Sequence, residues 1–176
     1  MKSGNIIYAF IDSQNLNLGV RSAGWMLDFR KFRVYLKEKY GVDKAYLFIG
    51  HIPENEKLYA FLKKSAYILV FKPTLEFRKG HNQITKGNVD AELVLHTMIA
   101  WNNFDKAIIV SGDGDFYCLI DYLEEKNKLL KLLVPTKRFS GLLRRFNQGN
   151  FIGRVDLLKK SLEYKKKTGI RGRSKP

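Results

Sequence analysis

The chain has 176 residues, 45% of them hydrophobic, and a formal charge of +15 at pH 7. This length suits one globular domain and is short for two. The single cysteine, Cys118, excludes an internal disulfide, and the apolar run from Ile6 to Ile11 is too short for a signal-peptide core or a membrane helix. We therefore expect a cytoplasmic protein that makes no membrane contact, carries Cys118 in its core and binds a polyanion.

Short apolar runs alternate along the chain with segments of helical periodicity. In chain order, this pattern predicts strand Ile6–Ile11, helix Asp28–Lys39, strand Ala45–Ile49, helix Glu54–Lys64, strand Tyr67–Phe71, loop Pro73–Asn88, helix Val89–Trp101, strand Ala107–Val110, helix Asp115–Lys126 and strand Leu129–Val134. Apolar strands that alternate with amphipathic helices are typical of a parallel sheet covered on both faces. The sequence therefore predicts an α/β protein, a three-layer α/β/α domain with a central parallel sheet.

The basic charge is concentrated at the C-terminal end. Residues 135–176 contain 13 Lys and Arg but only two acids, Asp156 and Glu163, which places +11 of the total charge of +15 in this segment. We expect the globular domain to cover residues 1–152 and a basic C-terminal extension to cover 153–176, with a helix from Val155 to Lys167 followed by a disordered tail. The tail either increases the solubility of the protein or binds the phosphate groups of a polyanion.

Acidic residues lie where two predicted strands end. Asp12 directly follows the first strand, and Asp113 and Asp115 come just after the fourth. If these strands are neighbours, Asp12 and Asp113 lie close enough to share one ion, and Asp90 approaches from the start of the helix before the fourth strand. Each acid also has a simpler interpretation, because Asp113 or Asp115 could cap the next helix and Asp90 suits a first helical turn.

The composition of these motifs indicates which ion they would hold. Carboxylates a few ångströms apart repel by roughly 4 kcal/mol per pair at an effective dielectric constant of about 20, so a cation is needed among them. Oxygen ligands without nearby His or Cys favour Mg²⁺ or Mn²⁺ and disfavour zinc. Asn15 could hold a water or a substrate phosphate, and Ser111 could orient the carboxylates through its hydroxyl, although both residue types are also common in loop capping.

Three segments together resemble the signature motifs of the NYN domain, a branch of the PIN-like nucleases. They are Ile11-Asp12-Ser13-Gln14-Asn15-Leu16, Lys86-Gly87-Asn88-Val89-Asp90 and Ser111-Gly112-Asp113-Gly114-Asp115-Phe116. The second segment is one residue longer than the usual Lys-Gly-Val-Asp of the family. The resemblance extends from about Ile6 to Val134 and fades beyond Pro135.

This resemblance implies a metal-dependent ribonuclease that hydrolyses RNA phosphodiester bonds. It implies Asp12, Asp90, Asp113 and Asp115 as metal ligands and, with Asn15, as the catalytic set. A homodimer is also consistent with it, because PIN-like domains often dimerise. The alternative is a non-catalytic RNA-binding or regulatory module of the NYN type, which the basic charge would serve equally well.

Basic side chains provide candidates for contacts with single-stranded RNA. The loop from Pro73 to Asn88 is a candidate lid because of its basic residues. The candidate substrate-binding residues are Arg78, Lys79, Lys86, Lys137, Arg138, Arg144 and Arg145, together with Asn15 and Ser111. Unpaired bases could stack on Tyr8, Phe77, Tyr117 and Phe139, although such aromatic residues are more often part of a core.

Overall fold

A computed structural model describes residues 4–72, 75–79, 82–86 and 90–165, with only the backbone described for 75–79 and 82–86. Its centre is a six-stranded parallel sheet with the strand order β3-β2-β1-β6-β7-β8. The strands are β1 (Ile7–Asp12), β2 (Lys44–Gly50), β3 (Ile68–Lys72), β6 (Lys106–Val110), β7 (Leu129–Val134) and β8 (Ile152–Arg154). The predicted three-layer architecture with a central parallel sheet is therefore confirmed.

Five of the described α-helices lie between strands in the chain, and the sixth follows β8. They are α1 (Ser13–Ser22), α2 (Phe29–Tyr40), α3 (Glu56–Lys64), α4 (Asp90–Ile99), α5 (Tyr117–Glu125) and α6 (Lys159–Leu162). Short 3-10 turns occupy Pro53–Asn55, Trp101–Asn103, Gly114–Phe116, Gly141–Asn147 and Asp156–Leu158. In the described part of the chain, no helix has both the length and the apolar character needed to span a membrane.

Two hydrophobic cores lie on opposite faces of the sheet, because successive residues of a strand point to opposite sides. Tyr8 and Phe10 of β1 belong to the core that includes residues of α4 and α5. Ala9 and Ile11 belong to the other core, which includes residues of α1, α2, α3 and α6. Tyr8 is 4% exposed within the first core, so the expectation that it stacks on a base is wrong.

The order of the strands reverses beside β1. This strand pairs with β2 on one side and with β6 on the other, and Ile11 lies opposite Val110. The sharing of one ion by Asp12 and Asp113 was made conditional on this adjacency of the first and fourth apolar runs, and the structure meets the condition. Because all six strands are parallel, Asp12 and the segment that begins at Ser111 emerge at the same edge of the sheet.

Several elements differ from the predictions. Helix α1 was not predicted, and the predicted loop contains an antiparallel hairpin of β4 (Leu75–Lys79) and β5 (Asn82–Lys86). Cys118 is exposed, because it lies on the outer face of α5 and not in the core.

The C-terminal segment packs against the domain as far as it is described. Strand β8 extends the sheet, Val155 and Leu162 are buried in the second core, and Glu163 forms a bridge with Leu27. The helix predicted for Val155–Lys167 is reduced to a 3-10 turn and the four residues of α6, because the Glu163 bridge to Leu27 requires extended backbone there. The predicted disordered tail falls on residues 166–176, which lie outside the described residues.

Candidate active site

A cavity of about 360 Å³ opens at the edge of the sheet where β1 and β6 end. It is lined by residues of β1, α1 and α4 and of the segments that follow β6 and β7. Its lining is formed by Asp12, Gln14, Asn15, Leu18, Gly19, Asp90, Gly112, Asp113, Pro135 and Arg138. The structure thus brings four of the five predicted catalytic residues together, namely Asp12, Asn15, Asp90 and Asp113.

Asp12 is the most deeply buried of these acids. It ends β1, caps the N-terminus of α1 and is only 5% exposed. Its Oδ1 accepts a hydrogen bond from the Asn15 backbone N–H (3.0 Å), and its Oδ2 accepts one from Ser111 Oγ (3.3 Å). Burial raises the pKa of Asp12 above its usual value, the Asn15 N–H opposes this shift, and the negative charges of Asp90 and Asp113 add to the rise.

Two polar side chains connect the ends of β1 and β6. Ser111 Oγ donates to Asp12 and also accepts a hydrogen bond from the Asp113 backbone N–H (3.2 Å). Asn15 Oδ1 accepts one from the Gly112 backbone N–H (2.8 Å). Ser111 is 1% exposed, and its two hydrogen bonds agree with the predicted role of orienting the carboxylates. Its contact with substrate stays a prediction. Asn15 lines the cavity, and its amide NH₂ donates no hydrogen bond to the part of the chain that the structure describes, so it can serve as a donor.

The two other cavity acids also have local structural roles. Asp113 is half-buried and caps the 3-10 turn that follows it, since its Oδ1 accepts a hydrogen bond from the Asp115 N–H (3.1 Å). Asp90 is half-buried and is the first residue of α4, where the helix dipole favours a negative charge. The capping interpretation is therefore correct for Asp113, yet both side chains still line the cavity with Asp12.

The donor set fits a hydrated divalent ion. Among the described residues, no group of three or more His, Cys, Asp or Glu side chains is arranged to hold a metal ion by itself. Mg²⁺ commonly keeps several waters and is held by only one or two carboxylates, so it does not need an enclosing cage of protein ligands. Asp12, Asp90 and Asp113 supply only oxygen atoms, and a cation would relieve both the burial of Asp12 and the repulsion among the three charges.

The remaining predicted residues lie elsewhere. Asp115 and Arg144 are exposed and do not line the cavity. Arg145 forms ion pairs with Asp121 and Glu124 of α5 and lies over the ring of Phe146, at 4.4 Å from its centroid. The side chains of Arg78, Lys79 and Lys86 lie outside the described part of the structure, so their role in substrate binding remains a prediction.

The site residues predicted from the sequence did not include Gly19 and Pro135, which also line the cavity. Gly19 and Pro135 contact each other across the cavity wall, and Arg138, a predicted substrate-binding residue, is the one cation among the described residues of the lining. The sequence does contain a signal for Pro135 and Arg138, because both follow the strand β7 at the same edge of the sheet. Gly19 gives no such signal, because its importance depends on a contact between distant segments.

Gly19→Ala should destabilise the protein by about 1–2 kcal/mol. A Cβ atom at this position would lie 2.4 Å from Pro135 Cβ, so α1 must shift away from the buried Pro135. Overpacking typically costs about 1–3 kcal/mol, which exceeds the gain of up to about 1 kcal/mol from replacing a helical glycine. Urea unfolding measures the change, and Gly141→Ala serves as the control because a Cβ there has no neighbour within 4 Å. Equal stability of Gly19→Ala and Gly141→Ala would contradict the tight contact.

Comparison with known proteins places this site in a family. The NYN domain model matches residues 7–153, a range that includes every acid of the cavity. The low amplitude and bright protein LabA of Synechococcus elongatus is 27% identical over 124 residues, which span 66% of this chain and 67% of LabA. A crystal structure of a protein of unknown function from Vibrio parahaemolyticus shares the fold, with a TM-score of 0.71 and 22% identity over 93% of this chain and 99% of that one. The chain belongs to the NYN domain family of PIN-like nucleases.

Proposed function

We propose that this protein is a metal-dependent ribonuclease that hydrolyses the phosphodiester bonds of single-stranded RNA. The observation that carries the proposal is the meeting of Asp12, Asp90 and Asp113 with Asn15 in one cavity of a protein whose formal charge is +15. In this proposal the two kinds of charge have different functions: the basic surface attracts the RNA, and the acids of the cavity bind the ion.

The three carboxylates are the proposed ligands of Mg²⁺ or Mn²⁺. When bound, the ion supplies Lewis-acid stabilisation of the charge that develops on the phosphate, and it activates water for attack. The protein contributes a fixed arrangement of oxygen atoms. Ser111 bonds to the Asp12 carboxylate and to the Asp113 backbone, so the two acids keep their relative positions. Hydrolysis then requires no nucleophile from the protein.

Asn15 has a separate role in this proposal. Its Oδ1 is held by the Gly112 N–H, which fixes the orientation of the amide group. The NH₂ of the same amide is the donor that would hold a phosphate oxygen or a water at the cavity. Because the Oδ1 of Asn15 is anchored, its NH₂ can orient a reacting group without moving during the reaction.

Removal of divalent ions should abolish cleavage of a 5′-labelled single-stranded RNA. We expect no products in EDTA and restored cleavage on addition of Mg²⁺ or Mn²⁺, resolved on a denaturing gel. Ca²⁺ is the matched control, because it offers the same charge with longer and less regular coordination, and it should support less cleavage. Full activity in EDTA would exclude the proposed mechanism.

A second candidate function is a non-catalytic RNA-binding module. It is favoured by the absence, among the described residues, of a ready-made group of three metal-binding side chains, together with the charge of +15. In that case RNA binding is salt-sensitive, survives Asp12→Asn and Asp113→Asn, and is not followed by cleavage at any divalent ion concentration. Binding and cleavage measured on the same samples distinguish the two functions.

A further inference from the structure

A second, smaller cavity of about 170 Å³ shares a wall with the acidic cavity. It is lined by Ser22, Ala23, Thr136, Lys137, Arg138 and Asp156. Arg138 lines both cavities, so the two are neighbours at the carboxyl edge of the sheet. We call this second cavity the basic groove.

The charge of the basic groove is positive. The acid among the described residues of its lining, Asp156, is paired with Arg154 through two hydrogen bonds, from Nε to Oδ1 (3.0 Å) and from Nη2 to Oδ2 (2.6 Å). Lys137 and Arg138 are exposed, and neither takes part in an ion pair among the described residues. Two cations therefore remain available for a negatively charged ligand.

The backbone that carries these cations is held firmly. The Arg138 N–H donates to Thr136 Oγ1 (3.1 Å), and Thr136 is 7% exposed. The Asp156 N–H donates to the Pro135 carbonyl (3.0 Å), which ties the segment after β7 to the segment after β8. The turn after β7 is thus fixed by hydrogen bonds of its backbone, and it presents the side chains of Lys137 and Arg138 to the groove.

Arg138 lines the acidic cavity, and the ion pairs formed between described residues join it neither to Asp12 nor to Asp113. A cation placed merely to offset those carboxylates would be expected within ion-pair distance of one of them. An arginine that faces both cavities is instead suited to a phosphate, whose oxygens match the fork of the guanidinium.

We infer that the basic groove is a binding subsite for the phosphate next to the scissile one. The inference rests on the proposed function, because it takes RNA as the substrate. When the scissile phosphate lies beside Asp12, Asp90 and Asp113, the RNA strand continues past Arg138. Lys137 and Arg138 then bind the neighbouring phosphate. Such contacts position a strand without reading its bases, so the subsite accepts any sequence.

Binding of a fluorescein-labelled single-stranded RNA, measured by anisotropy in EDTA at several salt concentrations, tests the subsite without cleavage. Each phosphate contact on a single strand contributes about −0.7 to the slope of log K against log salt. We expect Arg138→Gln to reduce the magnitude of this slope by about 0.7 and Lys137→Gln/Arg138→Gln to reduce it by about 1.4. Arg30→Gln is the matched control, because Arg30 is exposed and lines neither cavity.

Kinetics provide a second readout. Because the groove binds the strand beside the reacting phosphate, and Arg138 also lines the acidic cavity, the double variant should raise KM by a larger factor than it lowers kcat. Arg138→Lys should keep the salt slope and lose part of the affinity, because it retains the charge but not the planar fork. The wild type should also cleave RNA with a phosphate beyond the scissile bond better than a dinucleotide, and the double variant should lose this preference.

The results separate the subsite from the ribonuclease. If the protein does not cut RNA but its variants show a reduced slope, the basic groove is retained as a phosphate-binding site and the nuclease is rejected. An active nuclease whose double variant keeps the wild-type slope and KM overturns the subsite alone. Failure of the wild type to bind RNA overturns both.

Discussion

Asparagine in place of Asp12 or Asp113 should lower kcat for RNA cleavage by about 10³-fold or more. Each carboxylate attracts a divalent ion by roughly twice the 4 kcal/mol of a single charge pair at a dielectric constant of about 20. If half of this attraction is effective in the transition state, the loss of about 4 kcal/mol corresponds to about 10³-fold. Asparagine has nearly the same shape and keeps one oxygen acceptor, so the change removes charge more than structure. Single-turnover cleavage at saturating Mn²⁺ gives the rates.

The control for this experiment is Glu54→Gln, which removes an exposed carboxylate outside the cavity and should leave the rate unchanged. Asp115→Asn is an informative third variant. Because Asp115 is exposed and lies outside the cavity lining, its substitution should lower kcat by less than about tenfold. Undiminished cleavage by either Asp12→Asn or Asp113→Asn would show that the acids do not form the catalytic site.

Mg²⁺ should raise the melting temperature of the wild type by about 5–10 °C but have little effect on Asp12→Asn. A ligand at 100 times its Kd stabilises a protein by about 2.7 kcal/mol, and each kcal/mol shifts the melting temperature of a domain of this size by about 2–4 °C. Asp12 is the most buried of the three acids, so its charge should contribute most to the affinity for the ion. Differential scanning fluorimetry with and without Mg²⁺ measures both shifts.

Without divalent ions, Asp12→Asn should be more stable than the wild type at pH 7. Burial, opposed by the Asn15 N–H and reinforced by Asp90 and Asp113, raises the pKa of Asp12 above 3.8 in the folded state. A raised pKa means that the folded protein binds the Asp12 proton more tightly than the unfolded chain does. Protonation of Asp12 therefore stabilises the fold fully below pH 3.8, and this stabilisation is lost as the pH rises through the folded-state pKa. At pH 7 the buried charge is therefore destabilising, and asparagine removes it.

The capping bond of Asp12 provides the matched control for stability. Asparagine can still accept the Asn15 N–H at the start of α1, whereas Asp12→Ala loses this cap at a cost of about 1 kcal/mol. We therefore expect the order of melting temperatures in EDTA to be Asp12→Asn above Asp12→Ala. A lower melting temperature for Asp12→Asn than for the wild type in EDTA, or an equal response of both proteins to Mg²⁺, would argue against a strained, metal-binding carboxylate.

The elements that the sequence predicted well are those with a strong local pattern. The runs of β1, β6 and β7 are nearly continuous in apolar residues, as expected for strands covered on both faces. Helix α1 was missed because its sequence is rich in Ser, Asn and Gln, which also favour turns, and because only Leu16 and Val20 bury large side chains. Strand β8 has three residues and includes Gly153, so its pairing with β7 depends on tertiary contacts.

In the candidate site, too, residues with a local sequence signal could be predicted and those that depend on tertiary contacts could not. Asp12 and Asp113 could be paired from the sequence because both follow parallel strands, whereas the approach of Asp90 depends on how the start of α4 packs against the sheet. The partners of Arg145 could not be predicted, because Asp121 and Glu124 face it only after the turn at residues 141–147 folds back onto α5. Arg138 was one of several basic candidates in the sequence, and its position between two cavities is visible only in the structure.

The most direct test is a Mn²⁺ titration in which bound ion, measured by electron paramagnetic resonance, and RNA cleavage are followed on the same sample. For the wild type, we predict that the cleavage rate rises in proportion to the occupancy of a site that competes with Mg²⁺. For Asp12→Asn/Asp113→Asn, we predict little bound Mn²⁺ and no cleavage. Cleavage before any ion binds, or a double variant that binds Mn²⁺ and cuts RNA as the wild type does, would contradict the central claim that the acids hold the ion that supports hydrolysis.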